Sequence, residues 1–175
     1  MVRAFGAPFR LPPVNSDVMS QKYARLEIER RWLVPGDVSA LIDGLPSSEI
    51  EDRYLVGTRL RLRTVTSPDG STQRKFCKKY AASPDKTFES ITNLYLTDQE
   101  FQVLAALPAA VSRKRRHRLV QGSLDLYTQP AGVAIFEIEF TSESEARAFR
   151  APSFVGIEVT GEEAYSGATL ARSAT

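Results

Sequence analysis

The stretch Leu26-Glu27-Ile28-Glu29-Arg30-Arg31-Trp32-Leu33-Val34 alternates charged and bulky apolar residues. In an extended chain successive side chains point to opposite faces. Glu27, Glu29 and Arg31 therefore share one face, and Leu26, Ile28 and Trp32 the other. The pattern predicts a half-buried strand ended by Pro35-Gly36. Working outward, similar patterns predict strands over Asp52–Val56, Thr58–Thr66, Thr72–Tyr80, Phe88–Leu96, Val111–Val120, Ser123–Tyr127 and Val133–Phe140. Ser67-Pro68-Asp69-Gly70 reads as a turn between two of them. Short helices are expected over Asp37–Leu45, with Asp37 as N-cap, and from Thr97 to Leu107, where Glu100 completes a capping box. A third starts at Ser142, with Glu145 three residues on, and ends before Pro152. The tail from Gly156 holds a short strand and a helical turn. The class is thus α+β, and the pattern is compatible with an antiparallel barrel with helices outside or with an open sheet.

Composition narrows the function. The chain has 175 residues, 42% hydrophobic and 25% charged, as expected of one globular domain. A net charge of +2 argues against a protein dominated by nucleic-acid binding. One histidine, His117, and one cysteine, Cys77, cannot build a zinc site of the usual kind. They leave no Cys–His pair in prospect, and Cys77 has no disulfide partner, so a reducing, cytoplasmic setting is expected. No stretch is long and apolar enough for a transmembrane helix, and no membrane partner is expected. Residues 1–22 hold prolines and arginines without a continuous apolar core. They read as a disordered extension, with Met19 as an alternative start, rather than as a secretory signal. Residues 23–175 form a single domain, either monomeric or homodimeric.

The charges are sorted by strand. Glu27 and Glu29 share a face, as do Glu137 and Glu139, and Asp125 stands between two leucines. The basic strands carry Arg59, Arg61 and Arg63; Lys75, Lys78 and Lys79; and Lys114 and Arg116. Alternation from Lys75 favours Lys79 over Lys78 as the inward residue. A solvated sheet face explains one such strand easily. It explains less well three same-sign arginines on one face and two Glu-x-Glu pairs, because like charges at this spacing need an opposite charge to offset them. Carboxylates without histidine or cysteine suit Mg²⁺ or Mn²⁺. Rows of arginine present forked donors that match phosphate oxygens. Together they point to a polyphosphate chain with a divalent metal. The run Arg113–Arg118 could bind nucleic acid, but alternation would divide it between two faces.

These residues, in this order, resemble the CYTH superfamily of triphosphate tunnel metalloenzymes. Glu27-Ile28-Glu29-Arg30-Arg31 is similar to the family's N-terminal ExExK signature, and Glu158-Val159-Thr160, followed by Tyr165, to the tail of its short bacterial members. The resemblance spans Ala24 to Ala171. It implies a closed eight-stranded antiparallel tunnel barrel and metal-dependent hydrolysis of a triphosphate by in-line attack of water, with inorganic tripolyphosphate as the expected substrate. Nucleoside or thiamine triphosphate hydrolysis, adenylyl cyclisation and non-catalytic polyphosphate binding use the same charge pattern. By resemblance, Glu27, Glu29, Asp125, Glu137 and Glu139 would hold the metal. Arg59, Arg61, Arg63, Lys75, Lys79, Lys114 and Arg116 would grip the phosphates. Glu27, Glu29, Arg31 and Tyr54 would act in catalysis, with Tyr54 within reach of Arg31. The chain departs from the family in three places: Arg31 stands for lysine, the strand Ile91–Tyr95 lacks glutamates, and Gly161 stands where an acidic residue often follows. Tyr54 also reads as a packed aromatic, Cys77 as a wall or core residue, and Trp32 as core.

Overall fold

Alternation produces strands along most of the chain. A computed structural model describes residues 23–80 and 88–174. The expected disordered extension over residues 1–22 lies outside the described residues. The strands are β1 (Arg25–Leu33), β2 (Ser47–Leu55), β3 (Leu60–Thr66), β4 (Thr72–Lys79), β5 (Phe88–Leu96), β6 (Ala109–Leu119), β7 (Gly122–Gln129) and β8 (Ala131–Phe140). They close into an antiparallel barrel in the order β1-β5-β4-β3-β2-β6-β7-β8. Closure removes every exposed sheet edge. Four short helices lie around it: α1 (Ser39–Ile42), α2 (Asp98–Ala105), α3 (Glu143–Ala148) and α4 (Gly167–Ser173).

Most of the apolar core lies outside the barrel. Trp32, Leu124 and Phe136 point outward and are covered by Phe149, Phe154 and residues of α1. Trp32 packs on Phe136 and Phe149 at centroid distances of 5.9 and 5.7 Å. Arg30 stacks over Trp32 at 4.8 Å and donates to the carbonyls of Ala146 and Phe149, so α3 is tied to β1. On another side Leu55 and Leu62 pack beneath Phe101 of α2. With the bulky residues spent on these outer layers, the opposite face of each strand leaves charged residues lining the interior. One end of that interior is apolar, where Leu170 of α4 packs on Tyr127 and Ile135.

Several sequence expectations are corrected in extent. β2 begins at Ser47 rather than Asp52, because Glu49 and Glu51 pair outward with Arg115 and Arg113 of β6 instead of alternating with apolar residues. β3 begins at Leu60, which leaves Arg59 in the preceding turn. The first helix shrinks to four residues, and Asp37 accepts from the Ser39 N–H at 2.9 Å as a local turn rather than as the N-cap. Thr97 and Glu100 form the expected capping box. The tail pairs with the second half of β1: Gly156 N–H donates to Leu33 O at 2.7 Å and Val159 N–H to Arg31 O at 2.8 Å. Within the described residues no helix is long and apolar enough to cross a membrane.

Candidate active site

A cavity of about 610 Å³ occupies the barrel, within the usual range for small-molecule sites. Glu27, Glu29 and Arg31 line it from β1, and Glu137 and Glu139 from β8. Arg61 and Arg63 line it from β3, Lys114 and Arg116 from β6, Lys79 from β4 and Tyr54 from β2. Exposed Arg59 lines it from the turn before β3. Acidic strands β8 and β1 are neighbours, and basic strands β4 and β3 lie beyond β5. The cavity therefore has an acidic and a basic side.

Two expected residues sit elsewhere. Lys75 lies farther along β4, its ammonium 5.3 Å from the Tyr95 ring, and does not line the cavity. Asp125 is fully buried in the wall behind Lys114 and Arg116. Its carboxylate accepts both prongs of Arg116 at 2.6 and 2.7 Å and a further bond from Lys114. Burial alone would raise its pKa, but Lys114 and Arg116 together hold it below the usual carboxylate range. Lys79 faces inward, whereas exposed Lys78 lies against the Tyr80 ring and does not line the cavity.

The acidic side is under tension. Glu29 pairs directly with Glu139, and Glu27 with Glu89, in their strand registers. Lys79 relieves the second pair, 2.9 Å from Glu27 and 2.8 Å from Glu89. Burial and then the Glu137 and Glu27 carboxylates push Glu29 up to about 7, although Lys79 and Arg31 oppose them. Arg116 and the other cations, by contrast, outweigh burial at Glu137 and hold it low. As the carboxylates stand, no three acidic groups among the described residues converge as a metal-binding cluster. The fit to a hard divalent cation is one of donor chemistry: Glu27, Glu29, Glu137 and Glu139 offer oxygen ligands, and Lys79 and Arg31 only partly offset the crowding of carboxylates at half-buried Glu29. Asp125, consumed by its two cations, does not fit that role in this arrangement.

Among the described residues Arg31 and Tyr54 share no hydrogen bond. Their strands are separated by three others on either side of the barrel. Arg31 donates to Tyr165 O at 3.0 Å and lies 3.8 Å from Glu137, whereas Tyr54 faces Arg61 at 5.9 Å.

Sequence reasoning missed three contributors. Asp52 forms a two-pronged pair with Arg63 at 2.7 Å on each prong and lies 3.3 Å from Arg61. Its signal was weak, a single acid two residues before Tyr54 on the same face. Asp52 lies buried in the wall, whereas Glu89 and the pair Glu162–Glu163 line the cavity, and so bring acidic groups to a site where Ile91–Tyr95 and Gly161 offered none. Cys77 is a buried wall residue, and Trp32 belongs to the outer core. The basic run divides as expected: Lys114 and Arg116 face inward, while Arg113 and Arg115 pair outside with Glu51 and Glu49.

A scan against protein-family models finds no match, and neither does a search of curated proteins. Solved structures do match. One described as the hypothetical protein NE1496 is 25% identical with a TM-score of 0.51, over 83% of this chain and 97% of that one. Another, described as the inorganic triphosphatase NE1496, is 24% identical with a TM-score of 0.51, over 83% of this chain and 93% of that one. PH1012 from Pyrococcus horikoshii OT3 is 18% identical with a TM-score of 0.48, over 69% of this chain and 83% of that one. The barrel order, the charged interior and the likeness to NE1496 agree: the chain has the CYTH-type triphosphate tunnel fold.

Proposed function

We propose that the chain is a triphosphatase that hydrolyses inorganic tripolyphosphate inside this tunnel with Mg²⁺ or Mn²⁺. The observation that carries the reading is the two-sided cavity, with forked cations on β3 and β6 and carboxylates on β1 and β8. Arg61, Arg63, Lys79, Lys114 and Arg116 orient the phosphate chain, and Arg59 meets it at the rim. Phosphoryl transfer depends mostly on such positioning and charge stabilisation. The Nε groups of Arg31 and Arg61 make no hydrogen bond among the described residues and lie only in looser ion pairs, 3.8 Å from Glu137 and 3.3 Å from Asp52. In-line attack of water then releases phosphate. Glu27, Glu29, Glu137 and Glu139 would hold a divalent ion, which when bound would supply Lewis-acid polarisation and favour ionisation of water.

The site's own pairing supports a role for a cation. Arg61 and Arg63 already face Asp52, and Lys114 and Arg116 already face Asp125. A highly charged anion arriving alone would meet walls whose positive charge is about half offset. The single cysteine and the enclosed site suit a cytoplasmic enzyme. A second reading, hydrolysis of an organic triphosphate, is favoured by Tyr80 and Phe88 beside the charged groups, where a ring could stack. Phosphate release from tripolyphosphate, ATP and pyrophosphate, each with Mg²⁺, Mn²⁺ or EDTA, separates the two. Metal-dependent release from tripolyphosphate with little from ATP is expected. Release mainly from ATP favours the second reading, and none from any substrate overturns both.

A further inference from the structure

Resting on the reading of the tunnel as a triphosphate site, we infer that Asp52 is a positioning residue that sets the Arg61 and Arg63 guanidinium groups and moderates their grip on phosphate. Asp52 is 2% exposed and stands directly opposite Arg63 in the β2–β3 register. Its two oxygens accept Nε and Nη2 of Arg63, each at 2.7 Å, and Oδ1 also lies 3.3 Å from Arg61 Nε. One carboxylate is thus shared by two adjacent phosphate-directed arginines. A two-pronged pair fixes the plane of a guanidinium as well as its position. Like-charged Arg61 and Arg63 sit two residues apart on one strand face and would otherwise spread to separate their charges. Burial opposes a charged Asp52, but Arg63 and Arg61 outweigh it and hold the carboxylate ionised.

The same carboxylate has a second effect. Asp52 cancels one of the two positive charges at this point of the wall. An uncompensated pair would hold substrate and the released pyrophosphate alike, and uniform binding of this kind does not speed the chemical step. Asp52 therefore trades ground-state affinity for geometry. Asp125 occupies the corresponding place beneath Lys114 and Arg116, so each basic wall carries a buried counter-ion.

The test compares Asp52→Asn and Asp52→Glu with the wild type, reading kcat and KM for tripolyphosphate and competitive inhibition by pyrophosphate. Asparagine keeps the shape but offers one acceptor and no charge. The expected result is a kcat at least tenfold lower with KM unchanged or lower and pyrophosphate inhibition at least fivefold tighter. Asp52→Glu retains the charge, so its inhibition stays at the wild-type level while kcat falls less. A role confined to holding the fold would instead lower the active fraction and leave pyrophosphate inhibition unchanged. Unchanged or weaker inhibition in Asp52→Asn therefore overturns the inference. If Asp52→Asn does not fold, Asp52→Glu decides alone, with kcat expressed per site that binds tripolyphosphate in a titration: a wild-type kcat per binding site overturns the inference, and a reduced kcat per binding site supports it. Failure of the triphosphatase reading itself is recognised separately, as a wild-type protein that neither cleaves nor binds tripolyphosphate.

Discussion

Glu29 and Glu139 are direct partners in the β1–β8 ladder, two carboxylates on one wall of a cavity. Like charges at such positions are destabilising unless something of opposite sign lies nearby. With Glu137 and Glu27 also close, burial pushes Glu29 up to about 7 from an ordinary value of 4.5. Between those two values the folded state retains a proton that the unfolded chain has released. Stability contributed by Glu29 therefore falls as pH rises through that window, by roughly 3 kcal/mol at about 1.4 kcal/mol per pH unit. Asp52, Asp125 and Glu137 have lowered values, and their contribution is lost only as pH falls below the usual carboxylate range. Melting temperatures in EDTA should decline from about pH 5 to about pH 7 and then level off, and Glu29→Gln should flatten the decline. An equally steep decline in that variant would assign the effect to other groups.

The same carboxylate bears on turnover. Glu29→Gln keeps the size of the side chain but removes the charge that a divalent ion requires. Phosphate release should drop at least about hundredfold, the scale for loss of a group that stabilises a transition state. Tripolyphosphate binding should persist, because the basic walls are untouched. Isothermal titration with tripolyphosphate, beside the release assay, separates the two effects, and unchanged turnover would remove Glu29 from the metal-binding set.

Arg31 connects the tunnel to the tail. Its guanidinium donates to Tyr165 O at 3.0 Å, and its backbone N–H donates to Thr160 Oγ1 at 3.0 Å. Arg31→Lys keeps the charge beside Glu137 but gives up the planar fork that reaches both partners. Loss of one hydrogen bond to a charged group should cost about 1.5–3 kcal/mol. Limited proteolysis should then cut more readily between residues 160 and 166. Protection equal to that of the wild type would show that the backbone bonds to β1 suffice to hold the tail.

How much of this was legible follows from where the signals lie. β1, β3, β4 and β8 carry large apolar residues between charges, and that contrast survives in one dimension. β2 does not: its outer face is Glu49, Glu51 and Arg53, so only Ile50 and Leu55 mark it as sheet. Barrel closure depends on register, such as Glu27 with Glu89, which no local pattern encodes. The paired glutamates stood out because like charges repeated, but Asp52 was a single acid on its own face of β2, between Ile50 and Tyr54. Its importance appears only when β3 brings Arg61 and Arg63 beside it. Asp125 was visible as an acid on the inward face, yet its engagement by Lys114 and Arg116 depends on the β6–β7 pairing.

Gly167 is the first residue of α4 and sits flush against Tyr54. A Cβ added there would fall 1.9 Å from the Tyr54 hydroxyl oxygen and 3.0 Å from the ring carbon that bears it. Gly167→Ala therefore forces either Tyr54 to turn or α4 to lift from β2 and β6. Overpacking of this kind costs about 1–3 kcal/mol. Tyr54→Phe removes the oxygen responsible for the closest contact, so the double variant should recover part of the loss. Melting temperatures of the two single variants and the double variant form a thermodynamic cycle. Recovery identifies the hydroxyl as the obstacle. Additive losses would mean that α4 shifts as a body, and Tyr54 would then be a bystander to its seating.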